Sequence, residues 1–175
     1  MSDQSDTAAL REMLWAPWRM SYIESSVNLP KPSCFLCHYR DDSNDVENYV
    51  VDRSEHSLIV LNRFPYNNGH LLIVPREHKA SLEELSEAEL FDLQLQIRRM
   101  TKLLGLVIGA EGFNVGLNLG RVAGAGLPGH LHWHVVPRWS GDVNFMPVLA
   151  NTKVISQSLD ALFELLKRDL QTVPS

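Results

Sequence analysis

Features that mark secreted, membrane-spanning or disulfide-rich proteins are scarce in this sequence. The 175 residues include two cysteines, and the longest apolar run is LLGLVIGA at 103–110. A helix that crosses a bilayer needs roughly 20 apolar residues. The first dozen residues, MSDQSDTAALRE, have neither the basic start nor the apolar segment of a signal peptide. We therefore expect a cytoplasmic protein without a membrane partner, in which a structural disulfide is disfavoured.

A concentration of positive charge is also missing. The formal net charge is −5 and the lysines and arginines are scattered, so no surface that wraps a nucleic acid is predicted. An apolar fraction of 45% with 21% charged residues is typical of a globular protein. Because no repeat divides the chain, we expect a flexible N-terminal end at 1–13 and a single domain over 14–175. Within it, residues 38–48 predict an acidic, turn-rich loop.

Strand patterns appear in two parts of the chain. Residues 57–64 and 69–76 are rich in Leu, Ile and Val and flank the turn-forming residues PYNNG, which predicts a hairpin. Residues 112–120, GFNVGLNLG, alternate apolar with small or polar side chains, as a strand with two different faces does. A glycine-rich turn at 120–129 leads into a further predicted strand.

Two helices complete the predicted order of elements. The capping-box pattern Ser-x-x-Glu occurs at Ser81 and again at Ser86, and apolar residues then recur at steps of three and four. This helix is expected to end near Gly105 or Gly109. A second amphipathic pattern covers 155–170. The order strand, strand, helix, strand, strand, helix predicts an α+β domain with antiparallel pairing.

The segment HLHWHVV, which begins at His130, places histidines at every second position. On a strand such side chains share one face while the apolar residues between them pack behind. The outer two would have Cα atoms about 13 Å apart, so all three cannot bind one metal without a bend. We therefore expect His130, His132 and His134 to have different tasks. The alternative is that they only form hydrogen bonds on a polar strand face.

These residues resemble the signature of the histidine triad superfamily of nucleotide hydrolases and transferases, in which three histidines alternate with apolar residues. The segment LNRFPYNNGHLLIVPREH is similar to that family's ribose-binding strand pair, and LWAPWRMSYI and HVVPRWSGDVNF are similar to its branch that phosphorolyses diadenosine tetraphosphate. The resemblance implies a five-stranded antiparallel sheet with two main helices. It also implies a homodimer whose two sheets form one larger continuous sheet.

The resemblance further assigns roles to individual residues. His132 corresponds to the nucleophile that forms a nucleotidyl-histidine, and His134 to the contact with the phosphate or the bridging oxygen. Asn62 corresponds to the ribose contact, and Trp139 either lines the nucleotide site or packs in the core. The expected phosphate-binding residues are Asn118, Gly124, Ala125, Gly126 and Leu127. Trp15 and Trp18 either cap the adenine or pin the N-terminal segment.

The turn before the triad departs from the family pattern. Many members carry a Gln and a Ser or Thr there, whereas this chain has Ala125, Gly126 and Leu127. Side-chain donors to the phosphate are therefore missing from the turn, and Asn118 or Arg121 are the candidates to replace them.

The cysteines form a Cys-x-x-Cys pair, Cys34 and Cys37, which can supply two ligands to one zinc ion. The resemblance to zinc-bearing branches implies that His78 and His130 complete a closed, structural site. Free cysteines without metal are the alternative. A thioredoxin-like role needs the pair to open a helix, and the acidic loop predicted after it argues against that. The remaining histidines, among them His70, are interpreted as surface or structural residues.

The function expected from the resemblance is cleavage of dinucleoside polyphosphates at the α-phosphate through a nucleotidyl-His132 intermediate. The small-molecule nucleotide would be split with inorganic phosphate as the favoured acceptor, and with water as the alternative. Two other readings are a nucleoside phosphoramidate hydrolase and a nucleotide-binding regulatory module. An oxygenase-like site with a redox metal on His132 and His134 is a further possibility from the residues alone.

Overall fold

Five antiparallel strands form the centre of the fold in a computed structural model that describes residues 34–142 and 155–173. All of them fall in one unit of the chain, residues 33–175. The flexible end expected at 1–13, together with Trp15 and Trp18, lies outside the described residues, so the single domain over 14–175 stays a prediction. No helix among the described residues is long and apolar enough to cross a membrane.

The strands lie in the order β1-β2-β3-β5-β4, and every neighbouring pair is antiparallel. Their bounds are β1 Val50–Arg53, β2 Ser57–Leu61, β3 Leu71–Pro75, β4 Gly112–Leu117 and β5 Trp133–Arg138. The predicted hairpin is confirmed, with Leu61 opposite Leu71 at its closed end. The strand β5, which follows the glycine-rich turn, inserts between β3 and β4 and so becomes a central strand.

Within residues 34–142 and 155–173, four α-helices accompany the sheet: α1 Phe35–Asp41, α2 Asp45–Asn48, α3 Glu87–Ile108 and α4 Leu159–Asp169. Short 3₁₀ turns cover Leu82–Glu84, Arg121–Ala123 and Leu170–Thr172. Both predicted capping boxes are present, at Ser81 and at Ser86. Helix α3 ends at Gly109, which has a φ of 62° and adopts the left-handed conformation that glycine tolerates. Of the two ends expected from the sequence, Gly105 and Gly109, the second is confirmed.

Alternating residues of the strands build two cores on opposite faces of the sheet. On one face, Ile59, Ile73 and Val135 pack against the apolar sides of α3 and α4. On the other face, Leu58, Leu72 and their neighbours pack against Leu36 and Tyr39 of α1. Because Leu72 lies opposite His134 in the sheet register, His134 shares the α1 face. The long helices thus support the sheet from behind, and the histidines face the other way.

Two expectations about local structure are wrong, and one strand was missed. Residues 38–48 do not form a loop, since α1 and α2 occupy most of them. Strand β1 was not predicted, because its four residues VVDR show no alternation. Strand β5 begins at Trp133, so His130 and His132 precede the ladder and only His134 is part of it. The apolar residues of this segment, Leu131 and Trp133, are buried as expected.

Candidate active site and metal centre

His132 is held in one orientation by its own chain. Its Nδ1 lies 2.8 Å from the carbonyl oxygen of His130. A carbonyl can only accept, so Nδ1 carries the proton and the lone pair is on Nε2. The residue is 7% exposed, and burial lowers its pKa, although the hydrogen bond to the carbonyl acts in the opposite direction. The geometry presents a neutral imidazole whose Nε2 is available as a nucleophile.

His134 is oriented by a residue that the sequence analysis missed. The backbone N–H of Tyr66 donates to Nδ1 of His70 at 3.1 Å, so neutral His70 carries its proton on Nε2. That nitrogen lies 3.0 Å from Nδ1 of His134, which must therefore accept. The proton of neutral His134 is then on Nε2, and this atom can donate to a leaving group.

His70 is fully buried, so of the two interpretations, a surface residue or a structural one, the first is wrong. Its ring stacks on that of Tyr66 with centroids 4.8 Å apart and planes 23° apart. The signal that could have found it is its position one residue before β3. In the observed register Leu71 lies opposite Val135, so His70 lies on the sheet face that carries His134. That register joins strands that are distant in the sequence, and the local pattern does not reveal it.

The two asparagines predicted to contact the substrate lie on either side of these histidines. The amide Nδ2 of Asn62 is 3.2 Å from Nδ1 of His70, and its Oδ1 accepts the backbone N–H of Phe64 at 2.9 Å. Nδ2 of the Asn118 amide lies 3.4 Å from Nε2 of His134. Because Nε2 of His134 carries the proton, the amide of Asn118 must turn by 180° for its oxygen to accept from it.

The glycine-rich turn is tightened by its own hydrogen bonds. The backbone N–H groups of Gly124 and Ala125 donate to the carbonyls of Arg121 and Gly120, at 3.0 and 3.3 Å. Gly120 and Gly124 have φ values of 79° and 90°, which a side chain would strain. Ala125 is buried, and the side chain of Leu127 packs on the α1 core. Gly126, between them, is exposed.

Trp139 lies beyond the end of β5, five residues after His134 in the chain. Its indole Nε1 donates to the carbonyl of Ile108 at 3.3 Å, which ties it to the end of α3. The side chain is partly exposed.

A second cluster lies at the start of α1. The ligand atoms of Cys34, Cys37, His78 and His130 all lie within 4.8 Å of one another. Nδ1 of His130 is 3.2 Å from Sγ of Cys34 and 3.6 Å from Sγ of Cys37, which is itself 3.2 Å from Nδ1 of His78. Tetrahedral zinc with these ligands needs separations of about 3.3–3.8 Å. The four residues predicted from the sequence can therefore hold one metal ion.

Two further observations fit a cation here. His130 uses Nε2 to donate to the carbonyl of Pro75 at 2.9 Å, and this bond directs Nδ1 at the sulfurs, as the outer hydrogen bonds of metal-bound histidines do. Burial and then the neighbouring Cys34 raise the pKa of the Cys37 thiol to about 11. A divalent cation would remove the repulsion between two adjacent thiolates.

The helix after the cysteines corrects one step of the sequence argument. Cys34 is the N-cap of α1, and Cys37 lies in its first turn, so the pair does open a helix. The absence of a helix was therefore the wrong reason to set aside a thioredoxin-like role. The better reason is the placement of two histidine nitrogens beside the sulfurs.

The metal centre and the histidines are joined through the backbone. His130 contributes its side chain to the cluster and its carbonyl to His132. The N–H of Leu131 donates to the carbonyl of Lys79 at 2.8 Å, and both carboxylate oxygens of Glu89 on α3 lie 2.7 Å from Nζ of Lys79. These contacts fix the segment that carries His132 to the chain just beyond β3 and to α3.

The fold is that of histidine triad proteins. Residues 43–141 match the HIT domain family model, and the chain belongs to that family. It is 39% identical over 157 residues to AP-4-A phosphorylase of Mycobacterium tuberculosis (strain CDC 1551 / Oshkosh), a match that covers 85% of this chain and 78% of the relative. It is 32% identical over 106 residues to adenosine 5'-monophosphoramidase hnt1 of Schizosaccharomyces pombe, covering 61% and 74%.

Solved structures support the fold. A Zn-bound histidine triad family protein from Mycobacterium smegmatis aligns with a TM-score of 0.65 and 24% identity, over 80% of this chain and 94% of that one. The diadenosine triphosphate hydrolase of Plasmodium falciparum aligns with a TM-score of 0.58 and 22% identity, over 72% and 78%. The predicted α+β fold with a five-stranded antiparallel sheet is confirmed.

Proposed function

We propose that this protein cleaves dinucleoside polyphosphates of the diadenosine tetraphosphate type at the α-phosphate, with inorganic phosphate as the favoured acceptor. The observation that carries the proposal is the 2.8 Å hydrogen bond from Nδ1 of His132 to the carbonyl of His130, because it leaves Nε2 free to attack phosphorus. The relative named AP-4-A phosphorylase, 39% identical, supports the substrate class and the acceptor.

The reaction has two displacements at one phosphorus atom. Nε2 of His132 attacks the α-phosphate, a P–N bond forms, and the bond from phosphorus to the bridging oxygen breaks. His134 donates its Nε2 proton to the departing oxygen, and ATP leaves from a tetraphosphate. Phosphate then attacks the nucleotidyl-His132, the P–N bond breaks, and ADP forms. Water in place of phosphate would give AMP.

His70 fixes the tautomer of His134 that this step needs. It accepts from Tyr66 and donates to Nδ1 of His134, so it holds the remaining proton of His134 on the nitrogen that faces the leaving group. We therefore add His70 to the site as a positioning residue. It acts through His134 and does not itself contact the reacting atoms.

The substrate contacts remain part of the proposal. Asn62 would bind the ribose, and Asn118 would contact the phosphate beside His134. Because Gly124 and Ala125 use their N–H groups inside the turn, Gly126 and Leu127 are the better candidates for backbone donors to the anion. Trp139 would border the nucleotide from the end of β5.

We also propose that Cys34, Cys37, His78 and His130 hold a structural zinc ion. Two thiolates and two imidazoles fill a tetrahedral shell, so the ion would supply cross-linking and not chemistry. An oxygenase-like metal on His132 and His134 is disfavoured because Nδ1 of each ring is in a hydrogen bond and the proton of neutral His134 is on its Nε2.

A homodimer in the cytoplasm completes the proposal. Strand β4 is at the edge of the sheet, and Val115 on it and Leu119 just beyond it are 46% and 49% exposed. An open strand edge with apolar neighbours suits pairing with a second copy.

The decisive experiment is product analysis. Purified protein is incubated with diadenosine tetraphosphate, with and without phosphate, beside the variants H132A and H56A. His56 lies outside the site and serves as the matched histidine control. We expect ADP and ATP only when phosphate is present, from the parent chain and from H56A but not from H132A.

Other outcomes change the conclusion in defined ways. AMP and ATP without phosphate would replace phosphorolysis by hydrolysis. Turnover by H132A equal to that of the parent would refute the covalent route. No turnover of any dinucleoside polyphosphate would refute the enzymatic function and favour a nucleotide-binding regulatory module.

A further inference from the structure

We infer that Arg138 binds the distal phosphates of the substrate and so selects polyphosphates over substrates with a single phosphate. The inference rests on the proposed function and concerns the leaving group of the substrate, which is the part beyond the α-phosphate. A tetraphosphate carries several negative charges, and the phosphates beyond the α-phosphate need donors of their own. A group that recognises the rest of the chain must lie on the same face of the sheet.

The register of β4 and β5 places Arg138 on that face. Residues 134, 136 and 138 of β5 alternate with the buried residues of the strand, so Arg138 projects on the side of His134. Its Nη1 donates to Oδ1 of Asn114 at 2.8 Å, and Asn114 lies opposite Val136. The guanidinium thus reaches back along the sheet toward His134. Asn114 is two residues from Gly116, the partner of His134, which is about 7 Å at the usual rise of a strand.

Between His134 and Arg138 this face carries the partly buried Val136 and the exposed Asn114, with a glycine of β4 beside each end. Gly116 lies opposite His134, and Gly112 lies opposite Arg138. A Cβ atom added at either glycine would meet nothing within 4 Å. A chain of linked phosphates can therefore follow β4 from the nucleophile to Arg138, whereas a single phosphoryl group held at His132 stops short of it.

Hydrogen bonds to Asp142 fix the orientation of the Arg138 guanidinium. Asp142 accepts from Nε and Nη2 of Arg138 at 2.5 and 2.9 Å. The carboxylate is itself fixed by the side chain of Asn67 at 2.9 Å and by the N–H of Trp139 at 3.3 Å. The Asp142 side chain is 7% exposed and that of Arg138 is 45% exposed. The carboxylate supports the guanidinium from behind, and the outer edge faces solvent.

The remaining hydrogen-bonding capacity suits phosphate. A guanidinium has five N–H groups, and the contacts to Asp142 and Asn114 use three of them. The other two N–H groups lie in the plane of the rigid guanidinium. Because of this planar geometry, Arg is well matched to phosphate oxygens. Arg63, another arginine near the site, is unsuited because it donates to the carbonyl of Glu47 and lies over the rings of Tyr39 and Tyr49.

The test compares two substrates that share the α-phosphate and differ in the leaving group. The ratio of kcat/KM for diadenosine tetraphosphate to kcat/KM for adenosine 5'-phosphoramidate is measured for the parent chain, R138Q and R98Q. Arg98 is an exposed arginine on α3, behind the sheet, so R98Q makes the same change of charge away from the site. We expect the ratio to fall on the order of tenfold in R138Q, the effect of losing one charged hydrogen-bonding group, and to stay constant in R98Q.

A binding measurement keeps the inference testable if one substrate is not turned over. In an H132N background, calorimetry compares the Kd of diadenosine tetraphosphate with that of AMP, with and without R138Q. A loss confined to the tetraphosphate supports the inference. An equal loss of affinity for the tetraphosphate and for AMP would overturn it. So would a kcat/KM ratio that falls as much in R98Q as in R138Q, and Arg138 would then be only a structural partner of Asp142. A parent chain that cleaves neither substrate, yet binds the tetraphosphate through Arg138, would overturn the proposed function alone.

Discussion

The replacement of Cys34 by Ser tests the metal centre most directly. Cys34 and His130 are 96 residues apart in the chain, and their ligand atoms are 3.2 Å apart. A metal that binds both closes a loop of that length. The chain-entropy relation used for covalent cross-links gives about 5 kcal/mol for such a loop. For a chain of this size, each kcal/mol shifts the Tm by about 2–4 °C.

We therefore expect C34S to melt on the order of 10–20 °C below the zinc-loaded parent chain. Thermal unfolding followed by circular dichroism measures this, and elemental analysis gives the zinc content of each sample. A chelator should lower the Tm of the parent chain and of H56N by the same amount, and should leave C34S almost unchanged. The dependence on metal then separates loss of the cross-link from loss of packing by the cysteine.

Two results would refute the reasoning. One is a full equivalent of zinc bound to C34S, because the four-ligand site would then be wrong. The other is a chelator-treated parent chain whose Tm stays within about 2 °C of the loaded form, which corresponds to less than about 1 kcal/mol.

Three buried contacts elsewhere provide further predictions. H70F should lower turnover by about a hundredfold with unchanged zinc content, because His134 loses the group that orients its proton; an unchanged rate in steady-state assays would contradict this. G69A should lower the free energy of unfolding by about 1–3 kcal/mol in urea titrations, since its Cβ would lie 2.7 Å from Ile108 at a φ of 76°; an unchanged midpoint would count against it. Burial raises the pKa of Glu89, but hydrogen bonds from Lys79 and Ser86 outweigh it and hold the pKa at about 2, below the ordinary 4.5. Its stabilisation is therefore complete above pH 4.5 and lost toward pH 2, so unfolding of E89Q should depend less on pH in this range, and identical pH profiles would exclude the effect.

The elements that the sequence predicted well are those whose signals are local. Helix α3 follows a capping box and a repeating apolar pattern, and the hairpin follows its turn residues, so neighbouring positions suffice to define them. The four residues of the candidate metal site were predicted through the family motif. Their spacing alone would not have joined Cys34 to His130, because only the folded sheet brings those segments together.

The elements that the sequence missed depend on distant contacts. Helix α1 has only 7 residues, too short to be stable alone. Its C-terminal carbonyls are bound by Arg53 of β1, which donates to the carbonyls of Tyr39, Arg40 and Asp42 at 2.7–2.9 Å. No pattern within residues 38–48 encodes this partner. His70 was missed for a similar reason, because its role depends on the pairing of β3 with β5.

The double use of His130 has a consequence for how the two sites can change independently. Its imidazole belongs to the metal cluster, but its contribution to the nucleophile is a main-chain oxygen, which every amino acid provides. During evolution this side chain could be replaced, and metal binding lost, without altering the carbonyl oxygen that orients His132. Other packing would then have to keep the segment in place. Position 132 has no such freedom, since its proposed task belongs to the imidazole itself. On the proposed roles, the first histidine of the triad is the one that mutation can release from a metal while the chemistry at the second continues.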